Sequence, residues 1–132
     1  MVEARIRVIY GDTDQMGVVY HANYFRYFEF GRMEYLRARG ASYRDLEREG
    51  LMLPVVEGSV CYKSPARYDD LLLVRTEVSD VRRVSLAFTY EVRREEDPLK
   101  LLCTGRTVHA CMGREGRPMR MPESLTRLLH PS

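Results

Sequence analysis

The sequence predicts an α+β fold in which a five-stranded antiparallel sheet wraps around one long central helix. The spacing of apolar residues changes from two to three or four and then returns to two, which indicates strand, helix and strands in turn. Short connections join the last four strands and make them antiparallel. A sheet and one dominant apolar helix can bury each other when the sheet curls around the helix.

The first strand and the long helix are separated by a glycine-containing loop. Residues 2–10 alternate in polarity and predict a strand, while residues 22–39 place apolar side chains on most faces of a helix. We therefore expect a long helix that is nearly all buried. Asn23 or His21 is expected near its N-cap, and Gly40 is expected to end it.

The rest of the chain predicts a short helix and four further strands. Ser42, followed three residues later by Asp45, resembles a capping box, and Gly50 is expected to end the helix. A terminal helix is expected at residues 122–129, where proline and glutamate come first. Alternating apolar residues between turn-forming segments predict strands over 53–62, 71–81, 84–94 and 99–112.

Length and composition restrict the classes of function. The 132 residues suit a single domain, 1–132, and 45% hydrophobic with 30% charged residues is typical of a globular protein. The 21 basic and 19 acidic residues are interspersed, so the net charge of +2 argues against a nucleic-acid binder. No apolar run approaches the ~20 residues of a membrane span, and no signal peptide is visible, which predicts a cytoplasmic protein.

The three cysteines, Cys61, Cys103 and Cys111, lie far apart in apolar or strand-like stretches. Because no CxxC pair is present, the sequence indicates neither a zinc site nor a disulfide framework. We expect all three to be small residues of the core.

Residues 10–24 combine polar groups with flexible glycines just ahead of the long helix. They include Asp12, Asp14 and His21. The first N–H groups of a helix can polarise a carbonyl, and an aspartate before the helix could attack that carbonyl or activate a water. Composition alone favours turn or capping roles for the aspartates and a structural role for the histidine.

The same loop resembles the signature of a known enzyme family. The residues that carry the likeness are Arg7–Val8, Thr13–Asp14, Gly17–Val18–Val19, His21 and Tyr24. They resemble the hotdog-fold acyl-CoA thioesterases, namely the 4-hydroxybenzoyl-CoA thioesterase family and its relatives linked to the Tol-Pal cell-envelope system. Residues 63–70 and 82–85 are also similar to that family. The resemblance covers almost the whole chain and implies the hotdog fold.

The resemblance implies a catalytic site with no metal ion and no redox cofactor, in which coenzyme A is part of the substrate. Asp14 matches the catalytic carboxylate, either nucleophile or general base. The N–H at or near His21 matches the donor that polarises the thioester oxygen. Gly17 permits the backbone path between them, and Tyr24 is expected to contact the substrate. Asp12 matches a position outside the chemistry and is interpreted as a turn residue.

The same likeness narrows the substrate. The branch that acts on aromatic acyl groups has a tyrosine at the position of His21, so the histidine favours a short or medium acyl chain. Arg82, Arg83 and Ser85 are expected to contact the phosphates of CoA, since arginine forms charge-assisted bonds to phosphate. An acyl carrier protein is an alternative carrier of the acyl group.

The family pairs two chains edge to edge and stacks the dimers into tetramers. This agrees with the exposed edges of a lone curled sheet, so we expect a homodimer at least and a dimer of dimers. A non-catalytic module that binds acyl-CoA or an acyl carrier protein is the alternative function. A hotdog dehydratase is disfavoured, because no suitable His/Asp pair lies between Asn23 and Arg39.

Overall fold

A computed structural model describes residues 1–129 and shows a mixed α+β fold. In this part of the chain the strands are β1 (Val2–Arg7), β2 (Leu51–Met52), β3 (Val55–Tyr62), β4 (Leu71–Val81), β5 (Ser85–Arg94), β6 (Asp97–Ala110) and β7 (Met112–Gly113). The helices are α1 (Asn23–Ala38), α2 (Tyr43–Arg48) and α3 (Glu123–Leu129). None of them is long and apolar enough to cross a membrane. Residues 130–132 of the predicted domain lie outside the described residues.

Five strands form one antiparallel sheet in the order β1-β4-β5-β6-β3, which confirms the predicted sheet. The short strands β2 and β7 pair with each other separately. Arg7 at the end of β1 pairs with Leu71 at the start of β4, whereas Val81 at the end of β4 pairs with Leu86. The loop after β1 and the turn between β4 and β5 therefore lie at opposite ends of the sheet.

Helix α1 contacts all five strands of the sheet. It packs against β1 and β4, and its Phe28 stacks on Tyr90 of β5 with 4.4 Å between the ring centres. A Cβ on Gly105 of β6 would come within 2.2 Å of Phe28, and one on Gly58 of β3 would come within 2.8 Å of Phe25. Glycine at these two positions lets the helix lie close to the sheet.

The ends of β1 and α1 differ in part from the prediction. β1 stops at Arg7 because a 3-10 turn, Tyr10–Asp12, follows it and leaves Tyr10 73% exposed. Ala22 is the N-cap of α1 and contributes no side-chain hydrogen bond, and His21 and Asn23 lie on either side of it, near the N-cap as expected.

Helix α1 is buried on one side only. Phe25, Arg26 and Glu29 are exposed on the other side, so the expectation of a nearly all-buried helix is wrong for that face. Its end agrees with the prediction, since Gly40 follows with a positive φ of 84°.

The later elements largely follow the predicted pattern. β4 has the predicted bounds, and Ser42 caps α2 by accepting the Asp45 N–H at 3.2 Å. β6 starts earlier than predicted because Asp97, interpreted as part of a turn, already pairs with Arg94 of β5. β3 starts later, at Val55, because the residues before it form β2.

Two of the three cysteines lie in the core, as expected. Cys103 and Cys111 are buried, whereas Cys61 is exposed. The expectation is wrong for Cys61 because it lies on β3, an edge strand whose only neighbour in the sheet is β6.

A chain of buried polar groups links β5, β6 and the residues before β3. The hydroxyls of Tyr90 and Thr107 lie 2.6 Å apart, and Thr107 Oγ1 lies 2.8 Å from His109 Nε2. His109 Nδ1 lies 2.9 Å from Leu53 O, so both ring nitrogens are paired. Burial lowers the pKa of His109 to about 4, and the imidazole is therefore neutral near neutral pH.

We expect this buried imidazole to make the protein less stable in mild acid. In the unfolded chain His109 takes up a proton near pH 6.5, whereas in the folded protein it does so only near pH 4. The contribution of the neutral imidazole to the free energy of unfolding is therefore fully present above pH 6.5 and is lost as the pH falls from 6.5 toward 4. At about pH 4.5 the loss is about 2 kcal/mol. Urea titrations between about pH 7 and about pH 4.5 should show a shallower decline in the free energy of unfolding for His109→Gln than for wild type. Parallel declines would contradict the prediction.

Candidate active site

The loop between β1 and α1 folds into two short antiparallel arms. Asp14 N–H donates to Val18 O at 2.9 Å, and Tyr20 N–H donates to Asp12 O at 2.8 Å. Gly17 makes the turn between the arms, with a φ of 79° and its N–H donating to Asp14 O at 3.0 Å. This backbone conformation favours glycine, because other side chains are strained there.

The Asp14 carboxylate is held on one side and open on the other. Its Oδ1 accepts the Met16 N–H at 2.8 Å, which is a turn-stabilising bond of the kind aspartate often makes. Within residues 1–129, its Oδ2 accepts no hydrogen bond. The side chain is half-buried at the turn. One residue thus combines the turn role with an oxygen that remains available for chemistry.

The second arm leads to hydrogen-bond donors at the start of α1. The N–H groups of His21 and Ala22 have no acceptor within the described residues, as expected for the unpaired first turn of a helix. The Tyr62 hydroxyl, from the end of β3, donates to His21 O at 2.7 Å and fixes this backbone. The His21 ring is exposed and lies 4.4 Å from the Tyr20 ring. The helix start can therefore bind a developing negative charge.

Asp12 anchors the loop to α1. The residue is 3% exposed, and its carboxylate pairs with Arg26 and accepts the Tyr27 hydroxyl at 2.9 Å and the Ile9 N–H at 3.2 Å. Its backbone O also accepts the Asn23 side-chain amide at 2.8 Å. Asp12 lies in a turn, as predicted, but it also holds both arms of the loop against the first two turns of the helix.

Sequence reasoning missed this anchor, although one signal for it was present. Arg26 lies in the first turn of α1, where the helix dipole disfavours a cation. A cation in that position indicates a nearby acid, and Asp12 is that acid. Burial raises the pKa of Tyr27, and its hydrogen bond to Asp12 raises it further, so the phenol remains a donor to the carboxylate.

Residues 63–70 support the loop from the other side. Val19 N–H donates to Ala66 O at 2.9 Å, and Val18 forms a bridge with Arg67. Asp70 accepts the Arg67 N–H at 2.9 Å and pairs with Arg94 of β5 at 3.1 Å, which fixes this segment to the sheet. Across residues 1–129, no group of three or more His, Cys, Asp or Glu side chains is arranged to hold a metal ion.

Tyr24 lies beneath the loop and not at its surface. The residue is 3% exposed, and its ring contacts those of Tyr27 and Tyr62 edge-on, at 5.6 and 5.5 Å between centres. Burial raises the pKa of Tyr24 to about 12. In the single chain Tyr24 therefore supports the helix start and is almost completely shielded from solvent, and its contact with substrate stays a prediction.

Comparison with known proteins identifies the family. A family model described as the thioesterase-like superfamily matches residues 8–129, which include the whole loop and every helix and strand after β1. The chain belongs to this superfamily. The thioesterase-like domain thus contains both arms of the loop, the Asp12 anchor and the start of α1.

Individual relatives agree with the family. Acyl-CoA thioesterase YbgC of Haemophilus influenzae is 36% identical over 128 residues, covering 95% of this chain and 91% of that protein. Acyl-CoA thioester hydrolase YbgC of Escherichia coli O6:H1 is 42% identical over 94 residues, covering 71% and 70%. The crystal structure of the hypothetical protein TT1821 from Thermus thermophilus has a TM-score of 0.90 at 38% identity, covering 96% and 95%. The predicted family, hotdog fold and enzyme class, a thioester hydrolase, are confirmed.

The residues expected to contact CoA phosphates lie far from Asp14 in one thioesterase chain. Arg82, Arg83 and Ser85 lie at the turn between β4 and β5, at the opposite end of the sheet from the loop. The eleven residues of β4 span about 35 Å. A single chain therefore brings together Asp14, Gly17 and His21 but not the two arginines and the serine.

Proposed function

We propose that this thioesterase hydrolyses an acyl-CoA thioester to the free acid and CoA at the loop that carries Asp14. The observation that carries the proposal is the presence, in one loop, of a carboxylate oxygen and of backbone N–H groups that have no hydrogen-bond partner among residues 1–129. The names of the two YbgC relatives support CoA as the carrier of the acyl group. The second substrate is water, and the reaction uses no metal ion and no redox cofactor.

The first step is polarisation of the thioester carbonyl. The N–H groups of His21 and Ala22 donate to the carbonyl oxygen, and the positive end of α1 stabilises the negative charge that develops there. The exposed His21 ring orients the substrate or transfers a proton. Because these donors bind the charge that develops on the oxygen, they stabilise the transition state more than the bound substrate and so increase the rate.

Asp14 then acts by one of two routes. As a nucleophile it attacks the carbonyl carbon, forms a mixed anhydride and expels the CoA thiolate, and water then cleaves the anhydride. As a general base it takes a proton from water, whose oxygen attacks the carbonyl carbon; the tetrahedral intermediate expels the thiolate, which receives the proton. Labelled oxygen found in Asp14 after a single turnover in labelled water would demonstrate the anhydride route, because a general base does not exchange its oxygens.

The acyl group that we propose is a short or medium chain, with aromatic acyl groups as the second choice. His21 in place of a tyrosine supports this order. A hydrolysis screen over short, long and aromatic acyl-CoA esters tests it, with Asp14→Asn as the control. A preference for long chains would contradict the proposed acyl class and leave the reaction type intact.

A non-catalytic module that binds acyl-CoA or an acyl carrier protein is the second candidate. The observation in its favour is the bond from Met16 N–H to Asp14, which gives the carboxylate a purely structural task. Binding of CoA esters without hydrolysis of any of them by the wild-type protein would support this candidate.

We propose that the thioesterase is a homodimer joined through β3, and that two dimers associate. β3 pairs only with β6 and exposes most of its residues, including Val55, Val56 and Tyr62. Such an open strand edge is a template for pairing with a second chain. Antiparallel pairing of two β3 strands would bring the β4–β5 turn of the second copy to the end of the sheet that carries Asp14. This supports a phosphate role for Arg82, Arg83 and Ser85 across the interface.

We expect Val56→Asp to separate the dimer. Val56 is 61% exposed on β3, and a charge there would lie beside the side chains of the second copy's strand, where the same substitution places a second negative charge. Size-exclusion chromatography with light scattering should show a shift toward monomer, and thioesterase activity at the same chain concentration should fall at least about tenfold. Leu99→Asp makes the same chemical change at a position that is 91% exposed outside β3, and it should alter neither property.

Three further expectations belong to the same proposal. The chain forms one domain over residues 1–132, it acts in the cytoplasm, and an acyl carrier protein can replace CoA as the carrier. The length of 132 residues supports the first. Comparison of hydrolysis rates for one acyl group attached to CoA and to a carrier protein tests the third.

A further inference from the structure

Two exposed tyrosines lie stacked beside the loop that carries Asp14. The ring centres of Tyr10 and Tyr68 are 3.8 Å apart, and the rings are 4° from parallel. Tyr10 is 73% exposed and Tyr68 is 45% exposed. The ring centres are closer than the roughly 4.5–7 Å of most aromatic pairs, and a side-chain hydrogen bond between the two tyrosines contributes to the contact. The pair is exposed and therefore leaves aromatic surface open to a ligand.

Both tyrosines are joined to the backbone of the proposed active site. Tyr10 O accepts the N–H and the hydroxyl of Thr13 at 3.0 and 2.8 Å, and Thr13 immediately precedes Asp14. Tyr68 follows Arg67, which forms a bridge with the other arm of the loop. Neighbouring strands lie about 4.8 Å apart, so the stacked pair and the Asp14 turn are within a few strand spacings.

Two exposed arginines lie near the pair, together with the exposed carboxylate of Asp69, which directly follows Tyr68. The Arg7 and Arg67 side chains are exposed, and neither forms an ion pair with a carboxylate within residues 1–129. Arg7 donates to the backbone O of Asp69 at 2.8 Å, a bond that leaves its charge uncompensated. An uncompensated guanidinium beside an aromatic face suits a ligand with both a flat base and a phosphate.

We propose that the stacked pair of Tyr10 and Tyr68 binds the adenine base of CoA, and that Arg67 binds one of its phosphates. The proposal rests on the proposed function, which makes CoA the carrier of the acyl group. The open face of Tyr10 takes the base, because every nucleobase has a π-face that can stack on an aromatic side chain. The pantetheine arm then runs from the pair along the loop to the thioester at Asp14.

Binding of free CoA and of free pantetheine, which lacks the nucleotide, tests the proposal directly. Calorimetry should show that Tyr10→Ala weakens the binding of CoA about tenfold and weakens that of pantetheine much less, since one base stack is lost. Tyr10→Phe keeps the ring and should restore CoA binding. Arg67→Gln should reduce CoA binding and its dependence on salt concentration. Leu99→Ala, at a 91% exposed position outside the pair, is the control.

Kinetics give a second measurement. For one acyl group, Tyr10→Ala should raise the ratio of KM for the CoA ester to KM for the pantetheine ester about tenfold. The proposed adenine site would be wrong if wild type and Tyr10→Ala bound CoA equally well. It would also be wrong if Tyr10→Ala lost the same fraction of its affinity for CoA and for pantetheine. Failure of the proposed function would give a different result. The wild-type protein would then hydrolyse neither ester, while calorimetry would still test whether Tyr10 and Tyr68 bind the adenine base.

Discussion

Asp14→Asn is expected to lower kcat for the best acyl-CoA substrate by about 10³-fold, within the range for loss of a general base. Asparagine keeps a carbonyl oxygen that can accept the Met16 N–H, so the turn should persist. It lacks the negative charge that makes the free oxygen a nucleophile or a base. Steady-state kinetics should therefore show a large loss in kcat, and calorimetry should show that binding of the CoA ester is retained.

Asp45→Asn provides a matched control for this prediction. It makes the same chemical change at an exposed aspartate in the first turn of α2, away from the loop. Its kcat should equal that of wild type. If Asp14→Asn retained more than about a tenth of wild-type activity, the catalytic assignment of Asp14 would be lost, since that residue would then have only its turn role.

Asp12→Ala should lower kcat about 100-fold, although Asp12 does not contact the substrate. The change removes the acceptor for the Arg26 guanidinium, the Tyr27 hydroxyl and the Ile9 N–H at once. The Tyr27 side chain is fully buried and would be left without its partner, which costs about 1–3 kcal/mol. Freed from α1, the loop would no longer hold the carboxylate of Asp14 at a fixed distance from the helix start.

A positioning role can be separated from a loss of stability. Val92→Ala in β5 removes buried apolar volume in the core and should cost about 2 kcal/mol without touching the loop. At a temperature where both variants are folded, Val92→Ala should keep wild-type kcat, whereas Asp12→Ala should not. Asp12→Asn should lie between the two, because it keeps acceptors for some of the three donors. Equal kcat for Asp12→Ala and Val92→Ala would show that Asp12 acts on stability alone.

Local sequence patterns predict most of the sheet, but they do not predict the turns that are set by contacts between residues distant in the sequence. Leu71–Val81 begins with four apolar residues and alternates after them, and a connecting segment lies on each side of it, so both ends of β4 were predictable. The alternation of β1 continues through Tyr10, yet the strand ends at Arg7 because the chain must turn to bring Asp12 to α1. Nothing within a few residues of Tyr10 encodes that contact.

The candidate site divides in the same way. The placement of Asp14 and Gly17 in a turn and of His21 at a helix start was predictable because these are local features. Their proposed roles come from the resemblance to the thioesterase family. The anchor was not predictable, since Asp12 meets Arg26 and Tyr27 fourteen and fifteen residues later, after the helix has formed. The distance between the Asp14 loop and the β4–β5 turn was also not predictable, because it depends on which strands pair and in which register, and periodicity alone does not provide this.

The two edges of the sheet have different consequences for the chain outside its assembly. β1 carries three charged residues, and Arg5 and Glu3 form ion pairs with Glu95 and Arg75, which discourages adhesion to other strands. β3 has a single charge, Glu57, and an uncapped row of apolar side chains. A newly synthesised chain is therefore prone to aggregate through the exposed edge of β3 until a second copy pairs with that edge. Overproduction at high temperature should favour insoluble material, and substitutions that weaken pairing should lower the yield of intact protein before they alter its chemistry.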